Sequence, residues 1–183
     1  PVMDKLLRAA QELNLPLRPE HLPLFQRYFE LLVEWNERFN LTAITEYEQV
    51  QVRHFADALT VLLATPALLD AARQGVACRL ADVGAGAGFP GLPVKIVWPQ
   101  AKLTLVEAMA KKCTFLEAVV AELELTGVTV VNERAEVVGR DPQHREVYDV
   151  VMARAVADLS VLAEYCLPLV RRQGLVVAQK GEE

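Results

Sequence analysis

The chain has 183 residues, 52% of them apolar and 23% charged, with a formal net charge of −5. That much apolar content with so little net charge excludes intrinsic disorder, and a chain of this length buries roughly 70% of its unfolded surface without staples. The acidic balance argues against a generic nucleic-acid coat protein, whose affinity rests on Lys and Arg neutralising phosphates, but it leaves room for a local basic face.

Cys78, Cys113 and Cys166 are far apart and form no C-x-x-C pair, and His21, His54 and His144 show no ligand spacing. No metal site or redox pair is therefore expected. An odd cysteine count, a start without a signal-peptide pattern and no apolar run near the roughly 18 residues of a membrane span predict a cytoplasmic protein with no membrane partner.

Residues 1–75 read as a helical extension. Leu24, Phe25, Tyr28, Leu31, Leu32, Trp35 and Phe39 recur at spacings of three and four, an apolar stripe on a long helix that closes near Asn40. Thr45 with Glu48 reads as a capping box opening a second helix through about Leu63. Pro66 starts a third, and Gly75 is placed to end it. The pattern then changes over 76–183. Strands are expected at Val76–Val83, Lys102–Val106, Val128–Val131, Val147–Met152 and Leu175–Gln179. Helices are expected at Pro93–Trp98, Met109–Leu125 and Leu159–Val170, with Pro168 bending the last. Apolar strands alternating with helices indicate a parallel α/β sheet covered on both faces.

The first strand runs into Leu80-Ala-Asp-Val-Gly-Ala-Gly-Ala-Gly-Phe-Pro-Gly-Leu-Pro93 and then a helix. In such folds ligands bind where the first loop meets the helix N-terminus. Gly84, Gly86 and Gly88 let the backbone turn tightly and approach a ligand. Gly86 to Gly91 formally matches the dinucleotide fingerprint, but Pro90 has no N–H to offer a pyrophosphate and Asp82 would repel one. A carboxylate there suits a cationic ligand. S-adenosylmethionine carries a sulfonium and an ammonium, and the acid–x–Gly–x–Gly–x–Gly pattern is the one such methyltransferases use. Glu107, at the end of the second strand, is placed to accept both ribose hydroxyls; the plain alternative is a helix-capping Glu. The loop Asn132-Glu-Arg-Ala-Glu136 has the groups to meet an adenine edge, or is a solvated turn. Arg154, between alanines at the end of the fourth strand, is costly to bury without a partner. Its readings are contact with the cofactor carboxylate or with RNA, or a salt bridge to Asp82 or Asp149.

These segments, joined by Trp35-Asn-Glu-Arg-Phe-Asn-Leu-Thr42, Val52-Arg-His54 and Gln179-Lys-Gly181, resemble the RsmG (GidB) family of bacterial methyltransferases that modify a guanine N7 in the 530 loop of 16S ribosomal RNA. The resemblance runs from about residue 20 to the end. It implies a Rossmann-like, class I S-adenosylmethionine-dependent sheet of seven strands behind the helical extension. Only five strands are found, so the final two are expected to be absent from this chain. Position by position, it implies cofactor contacts from Gly84, Phe89, Ala135, Glu136 and Arg154, and importance for Asn40, Arg53 and His54 at the site or at the joint with the extension. His54 reads better as a buried, hydrogen-bonded residue than as a catalyst, and Trp35 and Phe39 as core.

The implied partner is 16S ribosomal RNA or the small ribosomal subunit, with the protein a monomer. Lys95, Lys111, Lys112, Arg134, Arg154, Arg171, Arg172 and Lys180 are the candidates for a basic face. Guanine N7 has a free lone pair, so no general base is needed and none is evident. Arg154 is the candidate catalytic and substrate-positioning residue, with Lys180 a second substrate contact. The competing functions are a nucleotide-dependent oxidoreductase and a non-catalytic ribosomal RNA-binding assembly factor.

Overall fold

The computed structural model describes residues 2–155 and 158–180. The extension contains α1 (Asp4–Glu12), α2 (Leu22–Asn36), α3 (Tyr47–Leu63) and α4 (Pro66–Gln74). The α2 stripe buries Phe25, Tyr28, Leu31 and Leu32. This helix stops at Asn36 rather than near Asn40, because the Asn36 side chain turns the chain. Its Oδ1 accepts from the N–H groups of Leu41 and Thr42 at 2.8 and 2.9 Å. The cap of α3 is Glu46, whose carboxylate accepts from the N–H groups of Glu48 and Gln49. The expected Thr45–Glu48 box is thus replaced by a cap one residue later. The middle of α3, Val50–Ala56, is wound as a π-helix, a departure often tied to functional positions. Thr65 caps α4 and Gly75 ends it, as the sequence indicates.

The sheet follows, with β1 (Arg79–Val83), α5 (Gly91–Val97), β2 (Lys102–Glu107), α6 (Ala110–Glu122), β3 (Val128–Asn132), α7 (Ala135–Val138), β4 (Tyr148–Ala155), α8 (Leu159–Cys166) and β5 (Val170–Lys180). Strand β1 starts three residues later than its apolar run, because the Val76 N–H is taken by Ala71 of the preceding helix. Strand β5 starts earlier than expected. A register shift between Tyr148 and Val150 accommodates its amino end, and Gly174 there packs against the Asp149 carbonyl.

All five strands are parallel, in the order β3-β2-β1-β4-β5. The order reverses between β1 and β4, so a crevice opens there at the carboxyl ends of the strands. One face of the sheet packs with α5, α6 and the whole extension in a single apolar cluster, from Leu6 and Phe25 through Leu92 to Phe115. The other face, Ala81, Val83, Val151 and Ala153, packs under α7 and α8. Among the described residues, no single helix is long and apolar enough to cross a membrane, and no cluster of three His, Cys, Asp or Glu is placed to hold a metal.

Candidate active site

The glycines of the loop after β1 divide into two kinds. Gly84 has φ +70°, and a Cβ built on it would meet nothing within 4 Å. Backbone here borders open space, which is what close approach of a ligand requires. Gly88 has φ +100°, and a Cβ there would lie 2.5 Å from both Leu92 Cδ1 and Tyr28 Oη. Its missing side chain admits the extension, and Tyr28 Oη donates to the Ala87 carbonyl beside it at 2.5 Å. Gly86 ties the loop to β2, donating its N–H to Glu107 Oε1 at 2.9 Å.

Glu107 is buried, and its Oε2 accepts from the Met109 N–H at 2.7 Å. The carboxylate therefore joins the glycine loop to the start of α6, and each oxygen keeps lone-pair capacity for a further donor. Asp82 is fully buried. Its Oδ2 accepts from the Gly91 N–H at 2.8 Å, and Oδ1 has no partner among the described residues. Burial pushes its carboxyl up to about 8, against the pull of the Gly91 hydrogen bond and of Arg154. The acid thus sits beneath the loop, at the start of α5, rather than on its open side.

Phe89 is 6% exposed and lies between two parallel rings: Tyr28 at 5.6 Å and His54 at 4.5 Å. The glycine loop is in this way clamped to α2 and α3, by stacks worth about 1 kcal/mol each. Arg154, near the end of β4, crosses the same joint. Its guanidinium donates to His54 Nδ1 at 3.0 Å, the Arg53 carbonyl at 2.8 Å and Asp57 Oδ2 at 2.5 Å, and lies 5.4 Å from the Phe89 ring centre. The salt-bridge alternative is met by Asp57 and not by Asp82 or Asp149; Asp149 is held by Arg171 at 2.6 Å. Burial, then the neighbouring Arg154, lowers the His54 pKa to about 4, so the ring is neutral near pH 7. With Nδ1 accepting from Arg154, Nε2 carries the hydrogen and donates it to Thr42 Oγ1 at 2.8 Å. This is the structural role expected for His54.

His54, Asp57 and Arg154 open onto a cavity of ≈ 410 Å³ that is also lined by Ile44, Val52, Arg53 and Lys180. Lys180 is exposed and in register with Ala155. Beside it, Gln179 donates Nε2 to the Asp57 carbonyl at 2.8 Å, so β5 also grips α3. Ala135 and Glu136 open α7 at the carboxyl end of β3, Ala135 half-buried and Glu136 exposed. Asn40 is exposed, and the turn it was assigned is organised by Asn36. Val156 and Gly181 lie outside the described residues.

Three of the candidate cations do not belong to a face around this crevice. Lys95 is 2% exposed and donates to the carbonyls of Pro99 and Ala101. Arg171 and Arg172 stand at the amino end of β5, opposite the crevice. Lys111 and Arg134 are exposed near the start of α6 and of α7. Sequence reasoning missed Asp57, Tyr28 and Asn36. The one signal for Asp57 is its place four residues after Arg53, a spacing that puts an acid and a base on one helix face.

A parallel sheet that reverses order beside an acid-preceded glycine loop, with an acid at the end of the next strand, defines a Rossmann-like S-adenosylmethionine-dependent methyltransferase. The fold is shared with a protein assigned to that class from Methanococcus maripaludis, at TM-score 0.53 and 14% identity over 73% of this chain and 60% of that one. The profile of the rRNA small subunit methyltransferase G family matches residues 21–183. The ribosomal RNA small subunit methyltransferase G of Roseiflexus castenholzii is 51% identical over 182 residues, 98% of this chain and 73% of the relative. That of Bacillus cereus is 47% identical over 171 residues, covering 93% and 69%. The chain belongs to the rRNA small subunit methyltransferase G (GidB) family.

Proposed function

We propose that this protein transfers a methyl group from S-adenosylmethionine to N7 of a guanine in the 530 loop of 16S ribosomal RNA. The observation that carries the reading is the open space over Gly84 beside a buried acid at the end of β2, in a chain of this family. The residues fit the cofactor. Gly84 and Gly86 leave room for its amino-acid end, Glu107 accepts from its ribose, and Ala135 with Glu136 meets its adenine. Asp82 anchors the loop from beneath by accepting the Gly91 N–H, and Phe89 is the ring on which the loop and Arg154 are set.

The bound cofactor supplies an electrophilic methyl on a positively charged sulfur. The N7 lone pair forms the new N–C bond as the C–S bond breaks. The bonding pair stays on sulfur, and the positive charge passes to the guanine ring. No proton moves, which fits a site whose one histidine is neutral and already hydrogen-bonded on both nitrogens. What the protein contributes is placement and exclusion of water. Arg154 holds the wall of the cavity and orients the base, and Lys180 with Arg53 meets RNA phosphate. Unstacked-base recognition in a folded RNA is the expected mode.

The test is transfer of labelled methyl to 30S subunits or naked 16S RNA that lacks the modification. Transfer to either supports the reading, and failure of the full-length protein on both contradicts it. Tight binding of a nicotinamide dinucleotide without binding of S-adenosylmethionine would favour an oxidoreductase instead.

A further inference from the structure

We propose that Asp57 is the residue that reads the base: its carboxylate accepts hydrogen bonds from the guanine N1–H and exocyclic amino group, leaving N7 turned toward the cofactor crevice. This inference rests on the guanine-N7 reading above and adds to it the group that selects guanine.

Guanine carries its acceptors, N7 and O6, on one edge and its donors, N1–H and the amino group, on the opposite edge. A reaction at N7 needs the acceptor edge to face the methyl group, so the protein must grip the donor edge. A carboxylate presents two acceptors and matches two donors. Adenine offers an acceptor at N1, which the same carboxylate repels. Of the residues lining the cavity, Asp57 is the one carboxylate.

The structure places that group for the task. Asp57 Oδ2 is held by Arg154 at 2.5 Å, which fixes the side chain, and among the described residues no hydrogen bond reaches Oδ1. The side chain is 49% exposed, so it is presented to the cavity and not sealed beneath it. Ile44 and Val52 supply apolar surface for a ring, and Arg53 and Lys180 supply cations for flanking phosphates. The cavity also adjoins the glycine loop, since His54 lines it and stacks on Phe89 of that loop at 4.5 Å. A base held at Asp57 is thereby beside the joint that carries the glycine loop.

The experiment compares 16S RNA carrying guanine, hypoxanthine or 7-deazaguanine at the target position, with the full-length protein. Hypoxanthine lacks the amino group that Asp57 is assigned. Wild type is expected to prefer guanine over hypoxanthine by about tenfold or more in kcat/KM, the usual yield of a well-made base contact. In Asp57→Asn and Asp57→Ala that preference is expected to fall toward one. Calorimetry with S-adenosylmethionine reports whether each variant keeps its crevice, and Asp57→Asn keeps both size and an acceptor for Arg154. A residue that served Arg154 alone would lower both rates together and leave the preference intact. The inference is overturned if wild type treats guanine and hypoxanthine alike, or if Asp57→Asn retains the full preference. Methylation of the 7-deazaguanine RNA, or no transfer to guanine RNA by wild type, would instead sink the N7 reading and this inference with it.

Discussion

Gly84 and Asp82 are two residues apart and do opposite things, one leaving space and the other filling it with an acid. A side chain at Gly84 has room but must adopt φ +70°, which costs roughly 1–2 kcal/mol for a residue other than glycine. Gly84→Asp should therefore fold while losing S-adenosylmethionine binding, because its side chain and charge occupy the ligand's space. Calorimetry showing wild-type affinity would overturn the assigned pocket. Gly88→Ala is the contrasting case: its Cβ would collide with Tyr28 and Leu92, so the damage falls on stability.

Asp82 makes stability depend on pH. Its pKa is raised from 3.8 to about 8, so between those values the folded protein holds a proton that the unfolded chain releases. Stability contributed this way is complete at low pH and lost as pH rises, by about 1–2 kcal/mol between pH 6.5 and 8. His54 acts in the other direction. Its pKa is lowered from 6.5 to about 4, so stability falls as pH drops through that interval. Urea denaturation of the ligand-free protein should show a decline from pH 6.5 to 8 that Asp82→Asn abolishes. An unchanged slope in that variant would contradict the buried, protonated acid.

The end of β4 meets the π-wound middle of α3 through the Arg154 side chain. Its donors reach a ring nitrogen, a carbonyl and a carboxylate on α3. Arg154→Ala should cost about 1–3 kcal/mol of stability, because His54 and Asp57 lose their partner, and should cost methyl transfer more than tenfold. Arg154→Lys restores the charge but not the planar fork, and should recover little of the activity. Stability and turnover measured on both variants check this; full activity in Arg154→Lys would show that charge alone suffices.

Much of this element's surroundings was legible in the chain. The glycine loop, the two strand-end acids and Arg154 all stand where strand–loop–helix grammar puts them. What was not legible is what they touch. The salt-bridge alternative for Arg154 points to Asp82 or Asp149, both closer in the sheet pattern, because nothing in a sequence brings Asp57 across the joint. The cap at Glu46 and the turn made by Asn36 were displaced for a similar reason: several polar residues compete over a few positions, and packing chooses among them. Lys95, a candidate for the basic face, is buried because its Nζ finds two carbonyls, of Pro99 and Ala101, in the turn between its own helix and β2.

Taken whole, the protein gathers its extension and its sheet around one apolar cluster. Phe25, Tyr28 and Phe55 of the extension pack in it with Leu92, Trp98 and Phe115 of the sheet region. A boundary at residue 75 separates two patterns in the sequence, but residues 76–183 alone would expose that face. We expect this fragment to aggregate or remain unfolded, and the complete chain to lose helix content and tryptophan fluorescence at the same urea concentration. Separate transitions would show that the extension is an independent unit.

On the function proposed above, the crevice between β1 and β4 delivers a methyl group to one guanine N7. The most direct measurement is to treat 16S ribosomal RNA lacking the modification with the protein and S-adenosylmethionine, then map the product base. The expected product is a single 7-methylguanine in the 530 loop, dependent on the cofactor and absent with Gly84→Asp. A methyl group at another atom, at scattered positions, or undiminished in that variant would contradict it.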